Sequence, residues 1–301
     1  MKRFIFNCIL FITVILASIY FILSKTDGYA DPYYLKFTTP KQNSLIIGNS
    51  KAAQGLNPNV INEILNIEIY NYAFAINTSP YGPVYLESIK RKLTQDNSNG
   101  IFIVTIDCWS ITSKCSNPND ISNFREKESS VGTIKVVDKS PNIPYLLKYM
   151  SGNYYKIIHK PSVALLHENG WLEVSLNLDS IFVNRRTKST LLNYENDLST
   201  YKYSQVRFDY LIKTIEFLNN YGNVYLVKLP ISPKLMEIEN QLIPNFNDKI
   251  NQVSKITSGY LDLTSKNNFF NYTDGVHLSK DSGKLVTEEI SKWIKILKIH
   301  E

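Results

Sequence analysis

Two short stretches of this chain hold residue types that could do nucleophilic chemistry. The first is LIIGNSK, Leu45 to Lys51, where an apolar run stops at Gly48 and a serine, Ser50, follows two residues later. A serine hydroxyl is a poor nucleophile at neutral pH. It needs an adjacent base, and the base needs a third group to hold its tautomer. The second stretch, YTDGVHLS from Tyr272 to Ser279, offers both partners. Asp274 and His277, three residues apart in a loop, can turn the same way. The carboxylate then takes the proton of one ring nitrogen and leaves the other free to accept the serine proton. Each stretch alone also has a plainer reading: Ser50 as a turn residue, and Asp274 with His277 as a solvated loop pair. Of the other histidines, His159 and His167 read as structural and His300 lies next to the terminus. Lys51 reads as a solvated cation, with an anionic substrate as its other use. Asp107 reads as a capping carboxylate. No spacing of Cys and His fits a metal site, and serine chemistry calls for neither metal nor organic cofactor.

These residues need elements to position them, and the sequence supplies a rhythm. Ser44 to Gly48, Glu68 to Tyr72, Ile101 to Ile106, Asn223 to Lys228 and Gly259 to Leu263 read as strands. The third, IFIVTI, is apolar on both faces. Helices are expected from Pro58 to Leu65, with Asn57 as N-cap, from Val84 to Leu93, from about Tyr203 to Asn219, and from Ser279 to about Lys298. The last carries Val286, Ile290, Trp293 and Leu297 at helical spacing, a core stripe. Strands without polar alternation, separated by helices, imply a parallel sheet covered on both sides. Five of them imply a flavodoxin-like α/β fold, in which ligands bind beyond the carboxyl ends of the strands. Ser50, Asn77 and Asp107 each follow a strand directly, and His277 follows the fifth after a loop. The rhythm breaks from about 107 to 193, an insertion holding Pro118, Pro141, Pro144 and Pro161, with short helices expected near Tyr145 to His159. Within it, HENGWLEVS reads as a hairpin whose Trp171 is either buried or presented to a sugar. Arg185, Arg186 and Lys188 read as part of a solvated loop, too short a cluster to bind nucleic acid.

On these blocks the chain resembles SGNH/GDSL-type hydrolases, in the membrane-anchored extracytoplasmic branch that includes sugar O-acetyltransferase-like proteins. The resemblance covers roughly Ser44 to Trp293, interrupted by the insertion. The family's Gly-Asp-Ser block reads Gly48-Asn49-Ser50 here, and its Asp-x-x-His block reads Asp274-Gly275-Val276-His277. The resemblance implies a three-layer sandwich, Ser50 as nucleophile, His277 as base and Asp274 as its orienter. It implies an ester hydrolase or O-acyltransferase acting on an acylated saccharide or other ester. The alternative is a non-catalytic protein of the same fold that binds glycan or serves envelope assembly. The middle blocks differ. NYAFAINTSPYG has Ile76 or Asn77 where the family places an oxyanion-hole glycine, and the third strand runs into Asp107-Cys108-Trp109 without the family's donor asparagine. Asn49, Ile76, Asn77 and Trp109 are therefore the candidates to bind substrate or the oxyanion. Losing one such donor typically costs about 10²–10³ in rate, so modest activity is expected.

Composition sets the compartment. Lys and Arg number 33 against 27 Asp and Glu, a spread-out excess that argues against a nucleic-acid partner. Lys2 and Arg3 precede an uncharged run, Phe4 to Leu23, long enough to span a bilayer core of ~30 Å. Positive residues on its N-terminal side place the N-terminus in the cytoplasm and the rest outside, in the periplasm if the membrane is an inner one. The expected organisation is an anchor over 1–25, a linker over 26–43 and an α/β domain over 44–301. A cleaved signal, with Gly28-Tyr29-Ala30 as its site, would instead give a secreted protein. Outside the cytoplasm, Cys108 and Cys115 could pair.

Overall fold

The computed structural model describes residues 1–96, 98–160 and 163–299; Pro161 and His300 lie outside them. Five parallel strands form the central sheet: β1 (Leu45–Ile47), β2 (Tyr70–Asn71), β3 (Gly100–Thr105), β4 (Gly222–Lys228) and β5 (Gly259–Asp262). Their order is β2-β1-β3-β4-β5, the flavodoxin-like order. Successive residues of a strand face opposite sides, and here both sides are apolar. Leu45, Ile47, Phe102, Val104, Val224 and Leu226 enter one core layer, closed by Ile215 and Leu218 of the Gln205–Asn219 helix. Ile46, Ile101, Ile103, Tyr225 and Val227 enter the other, closed by Val286, Ile290 and Ile294 of the last helix, Lys280–Ile299. Double-sided burial is why these strands lack polar alternation. The Pro58–Leu65 helix begins as its sequence predicts, with the Asn57 side chain accepting from the Asn59 backbone N–H.

The middle of the chain differs from its reading as loop. Arg185, Arg186 and Lys188 lie within a helix, Ser180–Leu198, capped by Asp179. None of its residues is fully buried, and its apolar stripe is short, confined to its C-terminal half. It rests on the domain through Leu191, Tyr194 and Leu198, which pack against Trp109, Leu235 and Val276. Two further helices, Pro233–Leu242 and Phe246–Ser254, follow β4. The hairpin is present, Ala164–Leu166 against Leu172–Val174. Its Trp171 is turned inward, and the indole N–H donates to the Gln54 carbonyl at 2.8 Å. Cys108 and Cys115 are free thiols. The Lys2–Leu23 helix is long and apolar enough to cross a membrane.

The segment 26–43 is built into the core. Tyr34, Lys36 and Phe37 are wholly buried. The Lys36 ammonium donates to the carbonyls of Asn71 (2.7 Å) and Gly170 (2.8 Å), stapling the segment to the end of β2 and the hairpin. Lys92, equally buried, donates to the Thr39 carbonyl (2.6 Å) and hydroxyl (2.8 Å) and to the Val137 carbonyl (3.0 Å). Neither ammonium makes an ion pair among the described residues, and burial lowers the pKa of both. Burial, only partly offset by Asp138, brings Lys92 down to about 7.

The unfolded chain, with its lysines near 10.4, keeps a proton that folded Lys92 releases above pH 7. The destabilisation from burying this charge is fully present below pH 7 and is relieved as pH rises. The thermal midpoint of the full-length protein in detergent should therefore climb from pH 7 to about pH 9, a climb to which Lys36 adds in the same direction. Lys92→Met should reduce it, leaving the part that Lys36 contributes. A midpoint that falls over this range in the wild type would contradict the reading.

Candidate active site

The end of β1 delivers Ser50 through a tight passage. A Cβ at Gly48 would lie 1.8 Å from the Thr105 hydroxyl oxygen on β3, so only glycine fits there. Asn49 follows in extended backbone and caps the helix Ser50–Gly55, its side-chain oxygen accepting from the Lys51 N–H at 3.0 Å. Its amide nitrogen donates to Asp107 Oδ2 at 2.7 Å, joining the carboxyl ends of β1 and β3. Asp107 Oδ1 accepts from the Ser110 N–H (2.9 Å) and hydroxyl (2.5 Å), the capping role expected of it.

Lys51 is buried, against its reading as a solvated side chain. Its ammonium lies 3.0 Å from Asp107 Oδ2 and 2.7 Å from Glu239 Oε1. Burial would lower the Lys51 pKa, but the two carboxylates outweigh it and hold the ammonium above its ordinary value. Burial also pushes both carboxyls up. At Asp107 the Lys51 charge and the Ser110 and Asn49 hydrogen bonds win, and its pKa falls; Glu239, with fewer partners, stays raised. The cation therefore serves as a fixed post beside Ser50, held between two carboxylates rather than solvated.

The loop after β5 brings His277. Gly275 takes a left-handed φ of +88°, which folds Asp274 back over its own loop. Asp274 Oδ1 accepts from the backbone N–H groups of Val276 (2.9 Å) and His277 (2.8 Å), and Oδ2 lies 2.8 Å from His277 Nδ1. His277 Nε2 lies 2.9 Å from Ser50 Oγ. The carboxylate fixes the tautomer: Nδ1–H donates to Asp274, and Nε2 accepts from the serine hydroxyl. Burial alone would raise Asp274, but its bond to His277, the His277 charge and the two N–H groups hold it below the ordinary carboxylate value. Arg186 Nε donates to the Thr273 carbonyl at 2.8 Å, clamping the loop from the Ser180–Leu198 helix. The last helix starts here, and its Gly283 lies so close to Gly55 that a Cβ would come within 2.9 Å of the Gly55 carbonyl oxygen.

Beside Ser50 lies a cavity of about 60 Å³ walled by Ile76, Trp109, Tyr194, Tyr201 and Val276, with Asn49, Lys51 and Asp107 also lining it. Trp109 is 5% exposed, and its indole N–H has no acceptor among the described residues. Tyr194 and Tyr201 pack edge-on against it at ring distances of 4.6 and 5.4 Å. Asn77 is exposed, accepts from the Thr78 hydroxyl at 3.2 Å, and lines an adjoining cavity with Pro80 and Arg125. Both polar atoms of the Asn49 carboxamide are engaged by Lys51 and Asp107. Among the described residues, no cluster of His, Cys, Asp and Glu could hold a metal ion.

Sequence reasoning did not reach Glu239, Tyr194 or Tyr201. Glu239 had a signal, since it interrupts the apolar positions Leu235, Ile238 and Leu242 of one helix and a charge on a buried stripe needs a partner. Tyr194 had only a weak signal, its place between Leu191 and Leu198 on a helix with no fully buried residue.

No protein-family model matches this chain, and no curated protein matches it. Among solved structures it is similar to an acetyl xylan esterase, Est2A, from the rumen bacterium Butyrivibrio proteoclasticus. The TM-score is 0.30 and the identity 8%, over 86% of this chain and 64% of that one. The chain thus spans just under two thirds of that esterase's length.

Proposed function

We propose that this protein is a membrane-anchored, extracytoplasmic serine esterase or O-acyltransferase acting on acylated glycans. One observation carries the reading: Ser50 Oγ, His277 Nε2, His277 Nδ1 and Asp274 Oδ2 form a continuous hydrogen-bonded line, with steps of 2.9 and 2.8 Å. Ser50 Oγ attacks the ester carbonyl while its proton passes to His277 Nε2. Asp274 stabilises the imidazolium that forms. The tetrahedral intermediate collapses to an acyl-serine, and the imidazolium returns its proton to the departing alkoxide. Water, or a sugar hydroxyl, then loses its proton to His277 and attacks the acyl-serine; the bond from the acyl carbon to Ser50 Oγ breaks, and the imidazolium returns the proton to Ser50 Oγ. The cavity beside Ser50 has room for a short acyl group of a few heavy atoms, so the saccharide itself stays outside.

Two neutral donors suit the oxyanion. The Ser50 backbone N–H opens its helix and finds no acceptor among the described residues. The Trp109 indole N–H is buried, unpartnered and on the wall of the same cavity. A buried donor left without an acceptor is destabilising by about 1–3 kcal/mol, which a substrate oxygen would relieve. The anchored topology is supported by two positive residues, Lys2 and Arg3, at the N-terminal end of the apolar helix.

A fluorophosphonate probe should label the wild-type protein covalently and fail to label Ser50→Ala or His277→Ala; no adduct on the wild type would leave the glycan-binding reading in its place. For turnover of a small ester, Trp109→Phe should lower kcat roughly 10²-fold, the cost of one oxyanion donor. Asn77→Ala should change it little, since that carboxamide faces the neighbouring cavity. The reverse ranking would move the donor to Asn77. A reporter fused at the C-terminus should be active only in its extracytoplasmic form.

A further inference from the structure

We infer that the domain lies against the lipid surface, on the face that carries Leu147, Tyr155, Ile158 and Val163. This rests on the Lys2–Leu23 helix crossing a bilayer and is independent of the ester chemistry. The geometry begins where that helix ends. Leu23 packs against the core, and Thr26, Gly28 and Ala30 are already buried. The Gly28 carbonyl accepts from the Leu166 N–H at 3.0 Å, and a Cβ at Gly28 would lie 1.7 Å from the Leu166 carbonyl oxygen. Asp27 pairs with Lys160, whose ammonium also sits 5.7 Å from the centre of the Tyr29 ring. Asp31 accepts from the Tyr145 hydroxyl at 2.7 Å. No free tether separates helix from domain, so whatever surrounds the helix exit must lie beside the headgroups.

What surrounds it is suited to that place. Leu147 (62%), Tyr155 (57%), Ile158 (71%) and Val163 (53%) are apolar or aromatic and exposed. They sit on the stretch that runs from Tyr145 through Lys160 to Leu166, the three residues that grip the helix base. Between Asp138 and Glu168 the chain contains no carboxylate, while Lys139, Lys148, Lys156 and Lys160 fall inside that interval. Exposed apolar side chains interleaved with tyrosines and lysines match a membrane interface: rings and aliphatic groups at headgroup depth, ammonium groups toward anionic phosphates. A soluble partner would need an apolar patch of its own against the bilayer, whereas the lipid surface is already there.

The test uses full-length protein reconstituted into vesicles containing phosphatidylglycerol. In a Cys8→Ser/Cys115→Ser background, with Cys108 buried, an environment-sensitive dye is placed at Ile158→Cys. For comparison it is placed at Phe269→Cys, an equally exposed apolar site (79%) outside this face. A nitroxide on the lipid headgroup should quench the dye at 158 and leave it bright at 269. Lys148→Gln/Lys156→Gln, which removes two ammonium groups without an ion pair among the described residues, should weaken surface contact roughly fivefold per charge. Added salt should act in the same direction. A dye at 158 that is unquenched, or quenched no more than the one at 269, overturns the proposal. Quenching at 158 that ignores both the glutamines and salt overturns the electrostatic part of it.

Discussion

Three elements converge on one buried ammonium. Lys51 follows β1, Asp107 follows β3, and Glu239 comes from the helix after β4; their charges meet at 3.0 and 2.7 Å. In a flavodoxin-like sheet, β1 and β3 are the strands between which the order reverses, and their helices leave toward opposite faces. A crevice opens there by topology alone. In this chain the crevice is floored by charge rather than by apolar packing. Charges removed from water are stable only when their partners are well placed. Asn49 and Ser110 complete the set by hydrogen-bonding Asp107. The carboxyl ends of two strands and one helix are thereby held to a single arrangement, and Ser50 stands directly on it.

His277 reaches the same point by a second, apolar route. The last helix packs its Val286 and Ile290 into the core layer that also holds Ala52, Ala53 and Leu56 of the segment following Ser50. The two glycines, Gly55 and Gly283, let the backbones approach closely, and Thr287 donates its hydroxyl to the Gly55 carbonyl at 3.2 Å. The spacing between Ser50 and His277 is thus set by backbone contact on one side of the sheet and by the ion cluster on the other. Such double fixing keeps a 2.9 Å contact between side chains 227 residues apart in sequence.

The sheet was legible in the sequence because its strands are buried on both faces and so read as uninterrupted apolar runs. The last helix was legible because Val286 and Ile290 repeat at helical spacing. Ser50, Asp274 and His277 could be singled out because each sits in a short polar knot beyond a strand. Lys51 was misjudged because a lone cation gives no sign, in sequence, of two carboxylates 56 and 188 residues further on. The Ser180–Leu198 helix was read as loop because amphipathic periodicity needs a buried face, and this helix touches the domain along a narrow seam. Its Tyr194 closes the cavity beside Ser50 all the same, so a wall of the candidate site comes from the part of the chain with the weakest pattern.

The same ion cluster constrains which groups can stabilise charge at Ser50. Asp107 occupies the region where the resembled family places a donor asparagine. Its pKa is held low by Lys51, Ser110 and Asn49 despite the burial that opposes them, so it accepts hydrogen bonds and donates none. A carboxylate there would repel negative charge developing at Ser50; Lys51 offsets it only in part, because its ammonium is shared with Glu239. In the proposed reaction the oxyanion is left to two neutral N–H groups without acceptors among the described residues, the Ser50 backbone and the Trp109 indole. A buried neutral donor needs little reorganisation as charge develops, and this is where preorganised electrostatic stabilisation is most effective. The tyrosines packed edge-on against Trp109 fix the indole plane. The Ser180–Leu198 helix, which supplies Tyr194, therefore bears on the direction of that N–H although it contributes no group to the Ser50–His277–Asp274 line.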